Sequence, residues 1–372
     1  MAKRRQGHTM PQFQTPLCQR LGISHPIFGF SHEPDVVVAI AKAGGFPVLG
    51  LARDAPQDIP AIVRDVEQRL AGLPYGIDLM LPANVPSQAD PQSLQAALPP
   101  AHVAFVAGLR ERFAIPPPSQ PSFFTAHARS EALFQAQIDA VLNSQACAVA
   151  TAIGLRAELI AEAKRRGKLT FSLIGSVRHA RKALDMGVDV LVAQGYDAGG
   201  HTGTVGTMSL LPQIVDVAQN TPVLAAGGIA TGAQVLGSIC SGAQGAWLGT
   251  LWMAAQENHT PPALLDRLIA SSSEDTVISR AHSGKPCRVV RSAWIDAWDA
   301  ADAPAPLGMP QQQALTGDVF ASIHEHNNAQ LIYEAAGQSV FGIQARTTVA
   351  AQMEMLVAQM NQAWGRVSGF VQ

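Results

Sequence analysis

The sequence predicts an α/β chain folded as a (β/α)8 TIM barrel, with an insertion after strand 3 and a smaller, mostly helical C-terminal domain. The first observation is the stretch 190–250, which holds three apolar runs of strand length at 190–193, 223–226 and 246–248. Each run ends in glycine or small residues, and the first two lead into helical patterns at 210–218 and 233–239. Strand, glycine turn and helix in repetition is the sequence form of parallel βαβ units. The second observation is that the same rhythm yields five more strands upstream, making the eight that a closed barrel needs. The third is composition: 47% apolar residues can fill a large core, and 32 glycines with 25 prolines suit many tight turns.

In chain order, residues 1–15 are polar and expected to be disordered, and the barrel is expected over 16–253. Strand 1 is placed at 26–30, a helix at 35–43, strand 2 at 46–49, a helix at 59–70 and strand 3 at 75–79. The rhythm then breaks over 81–145, a proline-rich insertion with helical pieces at 100–114 and 123–142. Such elaborated loops sit at the catalytic face of a barrel. Strand 4 follows at 146–150, a helix at 155–166 and strand 5 at 169–173. A helix at 177–186 ends at Gly187, a residue suited to the C-terminal cap. The three runs of 190–250 are strands 6, 7 and 8. Residues 254–345 lose the rhythm and read as a small helical domain on the substrate side, with a helix at 319–334. Within 346–372, an amphipathic helix at 349–360 is expected to return to the barrel.

Charge and cysteine usage narrow the classes. Only 15% of residues are charged and the net charge is −2, which argues against a nucleic-acid binder and against a disordered chain. Cys18, Cys147, Cys240 and Cys287 are far apart and form no C-x-x-C pair, so neither a zinc site nor a disulfide framework is expected. His324 and His326, two apart on a helix, would face different sides and make poor metal ligands. The basic N-terminus is followed by no apolar segment, and no apolar run is long enough for a membrane span. A cytoplasmic protein acting on a small molecule is the expectation, without nucleic-acid, membrane or metal partners. A homodimer is left open.

Glycines just after parallel strands let backbone N–H groups approach a ligand with no Cβ in the way. The N-terminus of the next helix adds unpaired donors and partial positive charge. Gly227, Gly228, Gly249 and Thr250 are therefore read as a phosphate cradle after the last two strands, where many barrels bind phosphate. Any one such pair could equally be a tight βα turn and nothing more. Two on consecutive strands, preceded by AGGHTG at 198–203, favour the cradle.

The segments AQGYDAGGHTG, PVLAAGGIATG and GAWLGT resemble those of the nitronate monooxygenase (2-nitropropane dioxygenase-like) family, which shares its fold with FMN-dependent enoyl-ACP reductases. HPIFGF at 25–30, AIAKAGGFPVLG at 39–50, YGIDLMLP at 75–82 and GQSVFGI at 337–343 extend the likeness from about Leu17 to Met360. The resemblance implies FMN, with Gly199 and Gly200 beside the cradle and with Gln194 and Asp78 at the ring edge. Asp78 stands where many relatives carry Asn, and could instead cap a turn. His201, in the loop after strand 6, matches the histidine that the resemblance implicates in catalysis, and imidazole moves protons near neutral pH. The histidine that the family carries at the end of strand 4 is missing, since the segment here reads ATAIG and the position falls on Ala152. His32 is a candidate substrate contact, with Ser31 before it as a helix cap. Gln338 is a second candidate substrate contact.

Three functions stay in view. One is an FMN-dependent enzyme oxidising a nitronate or similar carbon acid with dioxygen. Another is an NAD(P)H-dependent FMN reductase acting on an enoyl thioester or quinone, with His201 managing the proton. The last is a barrel that binds phosphate ligands without catalysis. Polar residues at the strand ends argue against it.

Overall fold

The computed structural model describes residues 13–370. Eight parallel strands close into the expected barrel. They are β1 (Ile27–Ser31), β2 (Phe46–Gly50), β3 (Gly76–Met80), β4 (Ala148–Ala152), β5 (Leu169–Ile174) and β6 (Val190–Gln194), then, after a two-residue strand β7 (Gly200–His201), β8 (Val223–Ala226) and β9 (Ala246–Leu248). β9 pairs back to β1 through Ile27 and Ala246, which completes the ring. The barrel is filled by inward side chains. Phe28, Phe46 and Phe171 meet with ring centroids 5.5–6.3 Å apart, and burying each contributes roughly 1.5–3 kcal/mol. Leu17, Cys18 and Leu21 of the helix Pro16–Leu21 join this cluster, so that the short helix becomes part of the barrel core. Thr15 caps that helix, and most of the segment read as disordered lies outside the described residues.

The insertion holds four helices, Pro91–Ala96, Pro100–Arg112, Phe123–Ala126 and Glu131–Leu142. The single helix expected at 123–142 is broken at His127, whose extended backbone ends the first piece before Ser130 caps the second. The insertion leans on the helix Gln311–Glu325: the amides of Ser119 and Ser122 donate to Glu325 and Asp318. Gly317 lets the two come close, since a Cβ there would sit 2.4 Å from Ser122 Oγ.

The C-terminal segment is helical as expected, with helices Pro262–Ala270, Ala293–Trp298 and Gln311–Glu325, and adds a strand pair the sequence did not suggest. It contains two antiparallel strands, β10 (Thr276–Ser279) and β11 (Cys287–Val290). β11 also pairs with β7, Cys287 opposite His201, so a strand from beyond the barrel fixes the loop that carries this histidine. The helix expected at 319–334 stops at Glu325. Asn327 turns the chain at φ +48, in the left-handed region that Asn tolerates. Leu331–Glu334 then runs back toward the barrel mouth instead of continuing outward. The final helix Val349–Ser368 packs against Gly232–Cys240. Gly232 makes this possible, because a Cβ there would lie 1.9 Å from Leu356 O. No helix among the described residues is long and apolar enough to cross a membrane.

Candidate active site

A cavity of about 750 Å³ opens at the C-terminal ends of the barrel strands. Phe30 and Ser31 of β1, Asp78 of β3, Ala152 of β4, Gln194 of β6, Ala226 of β8 and Trp247 of β9 all line it. His32, Gly199, Gly200, His201, Gly227, Gly228, Gly249 and Thr250 line it too. The fold thus gathers around one space nearly every residue the sequence singled out.

The turn after β8 has the conformation that the cradle reading needs. Gly227 and Gly228 take φ +99 and +71, which L side chains resist. The amides of Gly228 and Ile229 donate to nothing among the described residues. Most donors at the start of the following helix are taken, the Ala233 amide excepted. Gln234 Oε1 accepts from Ala230 and Thr231, and Gln359 Oε1 accepts from Gly232. The free donors are therefore mainly those of the turn itself, Gly228 and Ile229. A Cβ on Gly249 would meet no atom within 4 Å, so its missing side chain leaves open cavity. Thr250 begins a 3-10 helix, and its Oγ1 accepts the Gly337 amide at 2.9 Å.

One residue needs correction. Gln338 does not line the cavity; its amide donates to Asp197 O and its carbonyl accepts from Ser273, and the neighbouring Ser339 reaches the cavity instead. Gly199 lines the cavity, but a Cβ there would lie 2.7 Å from Gly337 N, so the close approach of two backbones also demands glycine.

Asp78 caps no turn: its Oδ1 is sealed from solvent and finds no partner among the described residues. Burial pushes its pKa well above the ordinary carboxylate value. A folded pKa above the unfolded one means that the native state binds more protons, so this group costs stability as pH rises past the unfolded value. Asp78→Asn is accordingly expected to raise the melting temperature of the ligand-free protein, by more at pH 8 than at pH 5, as scanning calorimetry would show. A gain of about 1 kcal/mol is worth roughly 2 °C in a chain of this size.

His201 Nε2 lies 2.6 Å from Ser283 Oγ. Burial first, then His282 and the cations Arg129, Lys285 and Arg53, lower its pKa to about 3. His32 Nδ1 meets Gly50 O at 2.8 Å, and burial with Arg53 lowers it to about 4. Both imidazoles are neutral at pH 7. Trp252 is a core residue whose indole donates to Leu248 O, while Trp247 stacks on Phe30 at the cavity wall.

The sequence reading missed a group from outside the barrel. His282, Lys285, His324 and Glu334 line the cavity, as does Arg53 from the turn after β2. Burial pushes Glu334 up, but Arg53, His324 and His282 outweigh it and hold the carboxyl below its usual range; Arg53 is 3.5 Å away. Arg129, from the insertion, is buried against the face of Phe124, a cavity residue, with its Nε and Nη2 unpartnered. Burial and Arg53 lower it to about 10. No local motif marks these positions, because they are distant in sequence and meet only when the C-terminal segment folds over the mouth.

A barrel whose strand ends enclose a polar cavity, with glycine turns after its last two strands, defines the class of (β/α)8 enzymes. The sequence profile of the family described as nitronate monooxygenase matches residues 15–359, and the chain belongs to that family. It is an oxidoreductase on that ground. A Mycobacterium tuberculosis protein bearing the name of a monooxygenase, Rv1533, is 38% identical over 326 residues, covering 84% of this chain and 85% of that one. A "probable nitronate monooxygenase" of Staphylococcus aureus (strain MSSA476) is 29% identical over 341 residues, 87% of this chain and 91% of the relative. Among solved structures, a nitroalkane oxidase from Streptomyces ansochromogenes superposes with a TM-score of 0.77 at 24% identity, covering 94% and 99% of the two chains. FabK from Thermotoga maritima gives 0.75 at 21% identity, covering 96% and 99%. These two likenesses bear on the fold.

Proposed function

We propose that this chain is an FMN-dependent oxidoreductase that oxidises a nitronate, or a similar carbon acid presented as its anion, with dioxygen. One observation carries the reading: the cavity has no base at the end of β4 and holds a lysine that no carboxylate pairs. Ala152 offers a methyl group, while Lys285 lines the cavity with no carboxylate paired to it among the described residues and Arg129 lies behind Phe124 at its wall. A carbon acid that has already lost its proton requires attraction rather than a base. The name of the family and of the S. aureus relative agrees with such a substrate.

The residues present suit the cofactor. The free amides of Gly228 and Ile229 and the open space at Gly249 would hold its phosphate, with Thr250 and Gly227 shaping the two turns. Asp78 has a buried carboxyl without a partner and Gln194 lies at the cavity wall; both would bond the polar edge of the ring, beside Gly199 and Gly200. When bound, FMN would supply the electron acceptor for the substrate, with dioxygen as the final oxidant. His201, which is neutral, would orient the substrate by a hydrogen bond, with Lys285 attracting it and His32 at the wall of the same space.

A second reading, reduction of an enoyl thioester or quinone by NAD(P)H, is favoured by His201 in its AGGHTG turn and by the FabK-like fold. Anaerobic mixing separates the two. The yellow protein is expected to bleach with a nitronate and to stay oxidised with NADPH. Bleaching by NADPH alone overturns the first reading, and protein that remains colourless after incubation with FMN overturns both.

A further inference from the structure

His282 is the buried histidine for which neither the barrel nor the proposed reaction yet has a use. It enters from the turn between β10 and β11 and lines the cavity. Phe320 and Tyr333 hold its ring edge-on, with centroids 5.4 and 5.7 Å away. Its next neighbour in the chain, Ser283, is the residue bonded to His201. Both imidazoles line the same cavity, one carried by the barrel and one by the C-terminal segment.

Each ring has one nitrogen in a hydrogen bond and one without, and the bonded partner bears on which nitrogen carries the proton. The contact from Ser283 Oγ to His201 Nε2 is 2.6 Å, shorter than the roughly 2.9 Å at which N–H donors cluster and within the range of O–H donors. Ser283 Oγ already accepts the Lys285 amide, and its other acceptor, Lys285 O, is 3.5 Å away. The hydroxyl proton thus goes to His201 Nε2, leaving the ring proton on Nδ1. Tyr333 is buried, and burial together with Glu334 keeps its phenol protonated. Its hydroxyl lies 3.3 Å from His282 Nδ1, and with the phenol as donor the ring proton stays on Nε2. Neither His201 Nδ1 nor His282 Nε2 has a partner among the described residues, and neither is sealed from accessible space.

We propose that His201 and His282 form a paired oxyanion seat, two imidazole N–H donors that receive the two oxygens of a planar anion such as a nitronate or a carboxylate. This deepens the nitronate reading and rests on it for the reacting substrate, although the seat itself needs only the shape and charge of the anion. Burial lowers His282 to about 4, with Arg53 and His324 also lowering it and Glu334 opposing them. His201 is acted on by Arg129, Lys285 and Arg53. Both rings therefore stay uncharged donors at neutral pH, and the nearby cations supply the long-range attraction. Neutral histidine polarising a substrate oxygen is an established catalytic device.

Calorimetric titration of the purified protein with propionate, an unreactive planar anion, tests the seat. The affinity is expected to be flat between about pH 6 and pH 9, since neither ring titrates there. His282→Phe should weaken it by about tenfold or more, as expected for loss of a hydrogen bond to a charged group. Affinity that climbs as pH falls from 8 to 6 would mean an ordinary imidazolium and overturns the proposal, as does unchanged binding in the variant. Nitrogen-15 spectra of histidine in the unmutated protein provide a readout that no folding defect can disturb. Nδ1–H at His201 and Nε2–H at His282 are expected, both shifting on propionate addition; the opposite tautomers overturn the seat. If propionate binds as described while nitronates fail to bleach the flavin, the seat stands and the proposed reaction falls.

Discussion

His201→Ala is expected to slow turnover of a nitronate by about 10²-fold or more while leaving bound flavin in place. The separation of the two effects follows from position. The residues assigned to the cofactor lie in the turns after β8 and β9 and on β3 and β6, whereas His201 stands on β7, held by β11. Its ring meets Ser283 and the cavity, so removing it deletes a donor without uncovering the cradle. Stopped-flow reduction of the flavin, set beside its absorption spectrum, checks both halves. Turnover equal to that of the unmutated protein would remove His201 from the reaction. The variant should also be less sensitive to acid. A histidine whose folded pKa is lowered from 6.5 to about 3 stabilises the protein fully above 6.5, and that contribution is lost as pH falls toward 3. Melting temperatures of variant and parent should therefore converge as pH is lowered from 7 to 5.

Gly249→Val is expected to abolish flavin binding, weakening it roughly 100-fold or more, about 2.7 kcal/mol, with little change in the stability of the flavin-free protein. At most glycines near the site, a side chain would strike the protein first. A Cβ on Gly228 would sit 2.9 Å from Asp197 Cβ, and the backbone there has φ +71. Gly249 differs: its φ of −125 is open to any residue, and no atom lies within 4 Å of the added Cβ. The valine would project into the space assigned to the phosphate. Reconstitution with FMN followed by fluorescence quenching measures the loss, and calorimetry shows whether the fold is intact. A Gly249→Val protein that binds FMN like the parent would mean that the phosphate sits elsewhere.

Much of this molecule could be read along the chain. The barrel was legible because each strand–turn–helix unit carries its own signal within a short window, from the apolar run at Val190–Gln194 to the glycines after β8. Asp78, Gln194 and His201 were legible for a related reason: a residue at the end of a parallel strand must face the mouth of the barrel. The errors fall where the local signal is weak. The helix around Gln311–Glu325 has no sharp amphipathic stripe, so its end was misplaced, and Glu334 was lost to view with it. Gln338 was chosen by likeness of segment, but its backbone is used up in joining Asp197 to Ser273.

The sequence by itself determined the eight-stranded architecture, the glycine turns after the last strands and the absence of a base at Ala152, because all of these are written in neighbouring residues. Only the tertiary structure decided that Arg53, Lys285, His282 and Glu334 share one cavity with His201, with Arg129 packed behind its wall. They come from segments far apart in the chain, and no pattern within any one segment encodes the meeting. The charge state of the histidines was settled in the same way, since desolvation depends on what the rest of the fold places around a ring.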